Sequence, residues 1–414
     1  MNLRMRKVSS ALLAIVLIPG ILNGCIMKSI TQKESKVVKV SLALEEEELA
    51  IVRKEIIPQF EKQNNAKVEI VQTDKSEVNK KIEAMKKEGK SDIDLIAVDI
   101  NSISELASKG LFEDLTSSVG IMPKETIGIL SDIGKVQDKT YFVPYRPKVE
   151  INYYHDIRFR RYGLKAPRTW EELLNASKFF RDTEGIGRVA LNIDLSEKAD
   201  EVVELIKQAG GDPLVLNDEG TVRAYTYLKQ LWPYLSQETV KANSNSINKL
   251  MAEEEIVYAP NTLRELSVLI KDGGKKEIKA NSGYSGPNGA YKILRGEVIG
   301  IPAGSPNKDL SVKFIQYIMS KEVQQIFVTK LGWPSFRRDA YGKIEDWQTT
   351  YFESVQEALT AAKPLPEVSY WPEVNKAINE ALKEIVIDNK GIKPTLDKYA
   401  AVVQKVKADY EKIK

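Results

Sequence analysis

The chain has 414 residues, 43% of them hydrophobic, and its 61 basic and 58 acidic side chains leave a net charge of +3. That length exceeds one ordinary core and suits two lobes of about 150–200 residues each, and so small a net charge gives no bulk field to attract nucleic acid. One cysteine excludes an internal disulfide, and one histidine, His155, excludes a two-histidine zinc site and leaves histidine-dependent catalysis to that residue alone. Neither a Walker loop nor Gly-x-Gly-x-x-Gly occurs; Gly185-Ile186-Gly187 lacks the third glycine.

Residues 1–24 have the order of a cleaved signal. Arg4, Arg6 and Lys7 form a basic start, and Val8 to Ile18 is an apolar run too short for a membrane span. Leu22-Asn23-Gly24-Cys25 then looks like a lipobox, so cleavage before Cys25 and lipid on its sulfur are expected; the alternative is an ordinary signal with an incidental cysteine. Residues 25–36 are polar and short, the composition of a tether.

Val37 to Leu44 reads as the first strand, and Glu45 to Glu48 open a helix through Leu49, Ile56, Ile57 and Phe60, where carboxylates suit the macrodipole of a first turn. A strand is expected at Lys67–Gln72 and a basic amphipathic helix at Glu77–Lys87. Ile93, Leu95, Ile96 and Val98 then predict a strand buried on both faces, followed by the polar break Asp99-Ile100-Asn101-Ser102 and a helix ending at Gly110. Ser102 with Glu105 has capping-box spacing, and Gly110 stands where a left-handed cap is wanted. The loop of this unit lies at the carboxyl end of its strand, where open α/β sheets bind ligands. Further on, Pro167 disfavours helix before it, Thr169 is placed to cap a helix and Glu172 to complete its capping box.

Several of these stretches combine into a longer pattern. Gly110-Leu111-Phe112-Glu113-Asp114-Leu115 is followed by Gly134-Lys135 with Thr140-Tyr141-Phe142-Val143-Pro144, then by Tyr153-Tyr154-His155-Asp156. Gly163-Leu164, Pro167 and Thr169-Trp170-Glu171-Glu172-Leu173 come next, and later Gly210-Gly211, Ser305-Pro306-Asn307-Lys308 before the helix Leu310–Ser320, Gly332-Trp333-Pro334 and Gly391 with Pro394. On these residues the chain resembles the extracellular solute-binding proteins of ABC importers, in the maltose-binding-like, sugar-binding branch, over nearly the whole mature length.

The resemblance implies an α/β, two-lobed periplasmic-binding-protein fold with mixed sheets flanked by helices and a ligand cleft between the lobes. Lobe one is expected at 37–145 plus 287–335 and lobe two at 146–286 plus 336–414. It implies no enzyme activity, no cofactor and no metal. The expected partners are a small solute, expected to be a sugar, and the permease subunits of an ABC importer, with the membrane reached through lipid on Cys25; the chain is expected to be a monomer that binds no nucleic acid. It is placed on the outer face of the cell membrane or in the periplasm.

Candidate ligand residues follow from the same resemblance. Glu46 lies in the first loop, where the family makes contacts, and Asn101 where it has a carboxylate or amide. Tyr145 and Arg146 stand at the first crossover. Asn261, after Ala259-Pro260, occupies a loop that often holds an aromatic in this branch, and its presence argues against a long site lined with aromatics. Tyr284 sits in the turn Asn281–Gly286, Trp333 in a loop after the helix Gln316–Val328, and Trp371 at the position of a sugar-stacking tryptophan. All but Asn261 have a plain alternative: helix stabilisation for Glu46, capping for Asn101, hinge packing for Tyr145 and Arg146, a turn for Tyr284, and packing for Trp333 and Trp371. His155 is read as structural and the run Met251–Glu255 as a solvent-facing helix end. Two other functions remain open: the same fold with an anionic solute or polyamine, which Arg146 and Lys148 would bear on, and a glycoside hydrolase using two carboxylates.

Overall fold

The computed structural model describes residues 36–74, 77–118, 120–193, 199–342 and 344–413. The signal, Cys25 and most of the tether lie outside these residues. The chain opens with β1 (Lys36–Leu42) and a helix, α1, that runs from Glu46–Ile51 through a wide turn, Val52–Ile56, into Ile57–Asn64. The wide turn has a cause in sequence. Pro58 has no N–H to close an ordinary helical turn, and the extra residue before it makes room for the ring. Then come β2 (Ala66–Gln72), α2 (Val78–Glu88), β3 (Leu95–Asp99), α3 (Ile103–Ser108) and β4 (Phe142–Lys148).

Val149 alone separates β4 from β5 (Glu150–His155). After it the chain forms α4 (Asp156–Arg161), α5 (Trp170–Glu184), α6 (Asp200–Gln208), α7 (Glu219–Leu231), α8 (Ser244–Ala252), β6 (Tyr258–Thr262) and β7 (Ile278–Asn281). β8 (Arg295–Gly300), α9 (Lys308–Ile318) and α10 (Lys321–Leu331) follow, and α11 (Asp346–Thr360), α12 (Trp371–Leu382) and α13 (Ile392–Ile413) close the chain.

Two sheets carry the fold. The larger has the order β2-β1-β3-β8-β4, with β1 parallel to β2 and β3, and β8 antiparallel to β3 and β4. The smaller is antiparallel, β6-β5-β7. Val38, Val40, Leu95, Phe60 and Phe314 pack on the larger sheet, while Phe180, Leu205, Tyr225, Ile378 and Leu382 form a second core among α5, α6, α7 and α12. The chain passes between sheets at Val149 and again between β7 and β8, where Lys292–Ile293 pairs in parallel with Ala362–Lys363.

Several local expectations change. Ser102 does not cap α3. A short 3-10 turn, Ile100–Ser102, precedes it, and Asp99 caps that turn by accepting from the Asn101 backbone N–H at 2.9 Å. The aspartate is the better competitor because its carboxylate reaches N–H groups two residues on. Gly110 is left-handed, at φ +62°. Thr169 caps α5 by accepting from Glu172 N–H, but the Glu172 carboxylate accepts from Arg168 N–H rather than from Thr169. The expected single helix over Gln316–Val328 is two, because Ser320 starts a new one by capping Val323. Asn261 is in a strand, not a loop. His155 is buried at the start of α4, its Nδ1 accepting from Arg158 N–H, in keeping with a structural residue.

Candidate ligand-binding site

The strands β1, β2 and β3 run parallel, and their carboxyl ends meet a cavity of about 320 Å³. Ser41, Thr73, Asn79, Asp99, Ser102 and Glu297 supply its polar wall, and Ala43, Val78, Ala97 and Val98 its apolar wall. Hydroxyls, an amide and carboxylates at the open end of a parallel sheet suit a small polar ligand, because such a ligand can exchange its hydration for hydrogen bonds there.

Three of the residues singled out in sequence meet beside this cavity. The Arg146 guanidinium donates to Glu297 through Nε at 3.1 Å and pairs with it through Nη2 at 2.9 Å. It also pairs with Glu48 at 3.4 Å and lies 4.7 Å from the centroid of the Trp333 ring. The Trp333 indole N–H donates to the other oxygen of Glu48 at 3.0 Å, and the Tyr145 ring meets Trp333 edge-on at 5.8 Å. Burial alone would favour the neutral form of Arg146. Glu297 and Glu48 outweigh that and hold its pKa above the ordinary guanidinium value. Burial, opposed only in part by Arg146, raises the Tyr145 phenol far above its usual range. Glu48 and Glu297 were not singled out in sequence as parts of such a network. The spacing of acidic residues in α1 resembles ordinary helix-start chemistry, and nothing along the chain marks Glu48 as the one that turns inward.

The remaining candidates divide. Glu46 is exposed in the first turn of α1. Asn101 donates its side-chain N–H to Asp99 at 2.7 Å, and its Oδ1 is buried with no partner. Trp371 begins α12, half-buried against the second core. The Ser104 hydroxyl donates to Glu367, so the stretch leading to Trp371 meets the helix that follows Asn101. Asn261 is fully buried and donates to Ser244 C=O at 2.9 Å and to Asn248 at 3.2 Å, while its Oδ1 accepts from Thr262 N–H. Tyr284 donates to Glu201 at 2.8 Å and lines a different cavity, of about 360 Å³, with Arg168, Ser282, Tyr291, Lys292 and Glu357. The cations of that second cavity are already engaged, Arg168 by Glu357 at 3.1 Å and Lys292 by Glu204 at 2.9 Å.

A family model described as bacterial extracellular solute-binding protein matches residues 55–351. The chain belongs to that family. Its members are binding proteins that work outside the cell, not enzymes. Among solved structures, the sugar-binding protein MalE of Xanthomonas citri aligns with a TM-score of 0.80 at 17% identity, covering 91% of this chain and 99% of that one. Maltose-bound MalE3 of T. maritima aligns at 0.71 and 20%, covering 90% and 100%. The maltose complex of MalE from Listeria monocytogenes aligns at 0.72 and 18%, covering 90% and 97%. No curated protein sequence matches the chain. These likenesses establish the two-lobed periplasmic-binding-protein fold, with mixed sheets flanked by helices. Among the described residues, no helix is long and apolar enough to cross a membrane, and no cluster of three His, Cys, Asp or Glu side chains is placed to hold a metal.

Proposed function

We propose that the chain is a lipid-anchored receptor that captures a carbohydrate by closure of two lobes and delivers it to the permease of an ABC importer. The cavity at the carboxyl ends of β1, β2 and β3 carries this reading, because it offers hydroxyl, amide and carboxylate groups to a polyol in a chain whose family binds solutes. Relatives of the same fold are described as bound to maltose, to acarbose and to maltotetraose. Asn101, Glu46 and Trp371 are proposed as direct contacts. Tyr145, Arg146 and Trp333 are assigned to the floor that fixes the cavity. Asn261 and Tyr284 serve the framework in this reading, since protein groups already occupy their polar atoms.

A thermal-shift panel of mono- and oligosaccharides tests the proposal. A solute held at 100 times its Kd should add about 2.7 kcal/mol of stability. Steady turnover of an oligosaccharide by the pure protein would overturn the receptor reading in favour of a hydrolase. Lipidation is tested separately, by mass spectrometry of the membrane fraction. The expected mature chain starts at Cys25 with lipid on its sulfur and is a monomer in detergent; an unmodified Cys25 or a different start overturns the anchor.

A further inference from the structure

The side chains around the cavity at the ends of β1, β2 and β3 also bear on how many rings the solute has, an inference that rests on the carbohydrate reading. Each ring of an oligosaccharide offers an apolar C–H face, and a flat aromatic side chain is its natural partner. This chain withholds such partners. Among the described residues, no aromatic side chain lines the cavity. Trp333 is only 3% exposed, with the Arg146 guanidinium 4.7 Å from its ring centroid, Phe327 tilted against it at 5.0 Å and Tyr145 edge-on at 5.8 Å. Tyr145 is itself buried, and Tyr284 is buried with its hydroxyl turned to Glu201. Of the aromatic candidates only Trp371 is not buried.

What the cavity does offer is hydrogen bonding around a small space. Its volume of about 320 Å³ is near the lower end of the roughly 300–1,000 Å³ of small-molecule sites. The Ser41 hydroxyl donates to the Thr73 hydroxyl at 2.7 Å, which leaves Thr73 a hydrogen to donate and Ser41 a lone pair to accept with. Among the described residues, the side chains of Asn79 and Ser102 are committed to no protein group. A free amide can donate to one hydroxyl of a sugar and accept from the next. The apolar wall, Ala43, Val78, Ala97 and Val98, consists of small or branched side chains that fit the edge of one ring and give no flat face to a second.

We propose that the solute is a single-ring sugar, held in this cavity by Thr73, Asn79 and Ser102, with Trp371 as its one aromatic platform. A second ring would give up hydration against surfaces that have no platform for it, so added rings bring no gain.

Calorimetry of the mature protein with D-glucose, D-galactose, D-mannose, maltose and maltotetraose tests this. The best of the three monosaccharides is expected to bind about 10-fold tighter than either oligosaccharide. Asn79→Ala and Ser102→Ala should each weaken that monosaccharide about 10-fold, through lost hydrogen bonds, with an unchanged melting temperature because neither side chain holds another part of the fold. Maltose or maltotetraose binding as tightly as the best monosaccharide, or more tightly, overturns the single-ring proposal and leaves the carbohydrate reading standing. Full affinity in both variants overturns it as well, because the ring then sits elsewhere. Binding of none of the five sugars overturns both.

Discussion

Glu201 on α6 is a carboxyl that folding holds in its neutral form. It is buried, accepting from the Tyr284 hydroxyl through one oxygen and from Asn192 N–H through the other. Burial pushes its pKa up to about 8, the neighbouring Glu150 adds to the rise, and Lys292 opposes it. Glu150 is itself raised to about 6, by burial and then by Glu204. A group whose folded pKa lies above its unfolded value of 4.5 stabilises fully below that value, and the contribution is lost as pH climbs through 8. The difference, 8 − 4.5 = 3.5, corresponds to about 5 kcal/mol at 1.36 kcal/mol per unit, an upper limit because water and side-chain relaxation reach a charge formed in place. Glu201→Gln keeps an acceptor for Asn192, offers an N–H to the Tyr284 oxygen and cannot ionise. Urea unfolding at about pH 5, 6.5 and 8 should show wild-type stability falling steadily, and the variant gaining about 2–5 kcal/mol on it between the ends of that range. Parallel pH profiles for the two proteins would refute the argument.

Arg146→Gln removes a cation shared by two buried carboxylates, Glu48 and Glu297, and should cost about 3–5 kcal/mol in chemical unfolding, with a change in tryptophan fluorescence because Trp333 loses the cation over its ring. Gly296→Ala places a Cβ 2.1 Å from the Arg146 carbonyl oxygen at φ +116°, so it should destabilise by more than about 3 kcal/mol or abolish soluble expression, read from thermal melts. Trp371→Ala should weaken sugar binding about 10- to 100-fold by calorimetry, taking base-on-aromatic stacking as the analogue, while lowering the melting temperature only slightly.

Much of the fold was legible because its signals are local. The β-branched run before Asp99, the proline-threonine start of α5 and the left-handed Gly110 each depend on residues within a few positions. The long motif pattern brought Tyr145, Arg146 and Trp333 to attention, and these three do meet. Their partners were not legible. Glu48 and Glu297 lie 98 and 151 positions from Arg146, and no period or spacing links residues so far apart. Asn261, after Pro260, was expected in a loop on the family resemblance, and it lies in a strand. The strand tolerates that proline because Tyr153 pairs there with Ala259, and Asn152 with Pro260, on the outermost strand of a three-stranded sheet.

Charge is concentrated where the chain passes between its two sheets. Arg146, on the strand that leads to Val149, is tied to α1 and β8. The second passage is clamped from α6, where Glu204 accepts from Lys292 Nζ and from Ile293 N–H, both at about 2.8–2.9 Å, and Asp200 pairs with Arg295. Buried ion pairs are poor devices for raw stability, since well-packed apolar groups of the same size do as well or better, yet removing one partner is costly. What they supply is direction. An apolar contact is indifferent to sliding, whereas Glu204 reads one ammonium and one backbone N–H at fixed positions. Segments that must keep their register at the passages between two sheets gain more from such contacts than from additional apolar area.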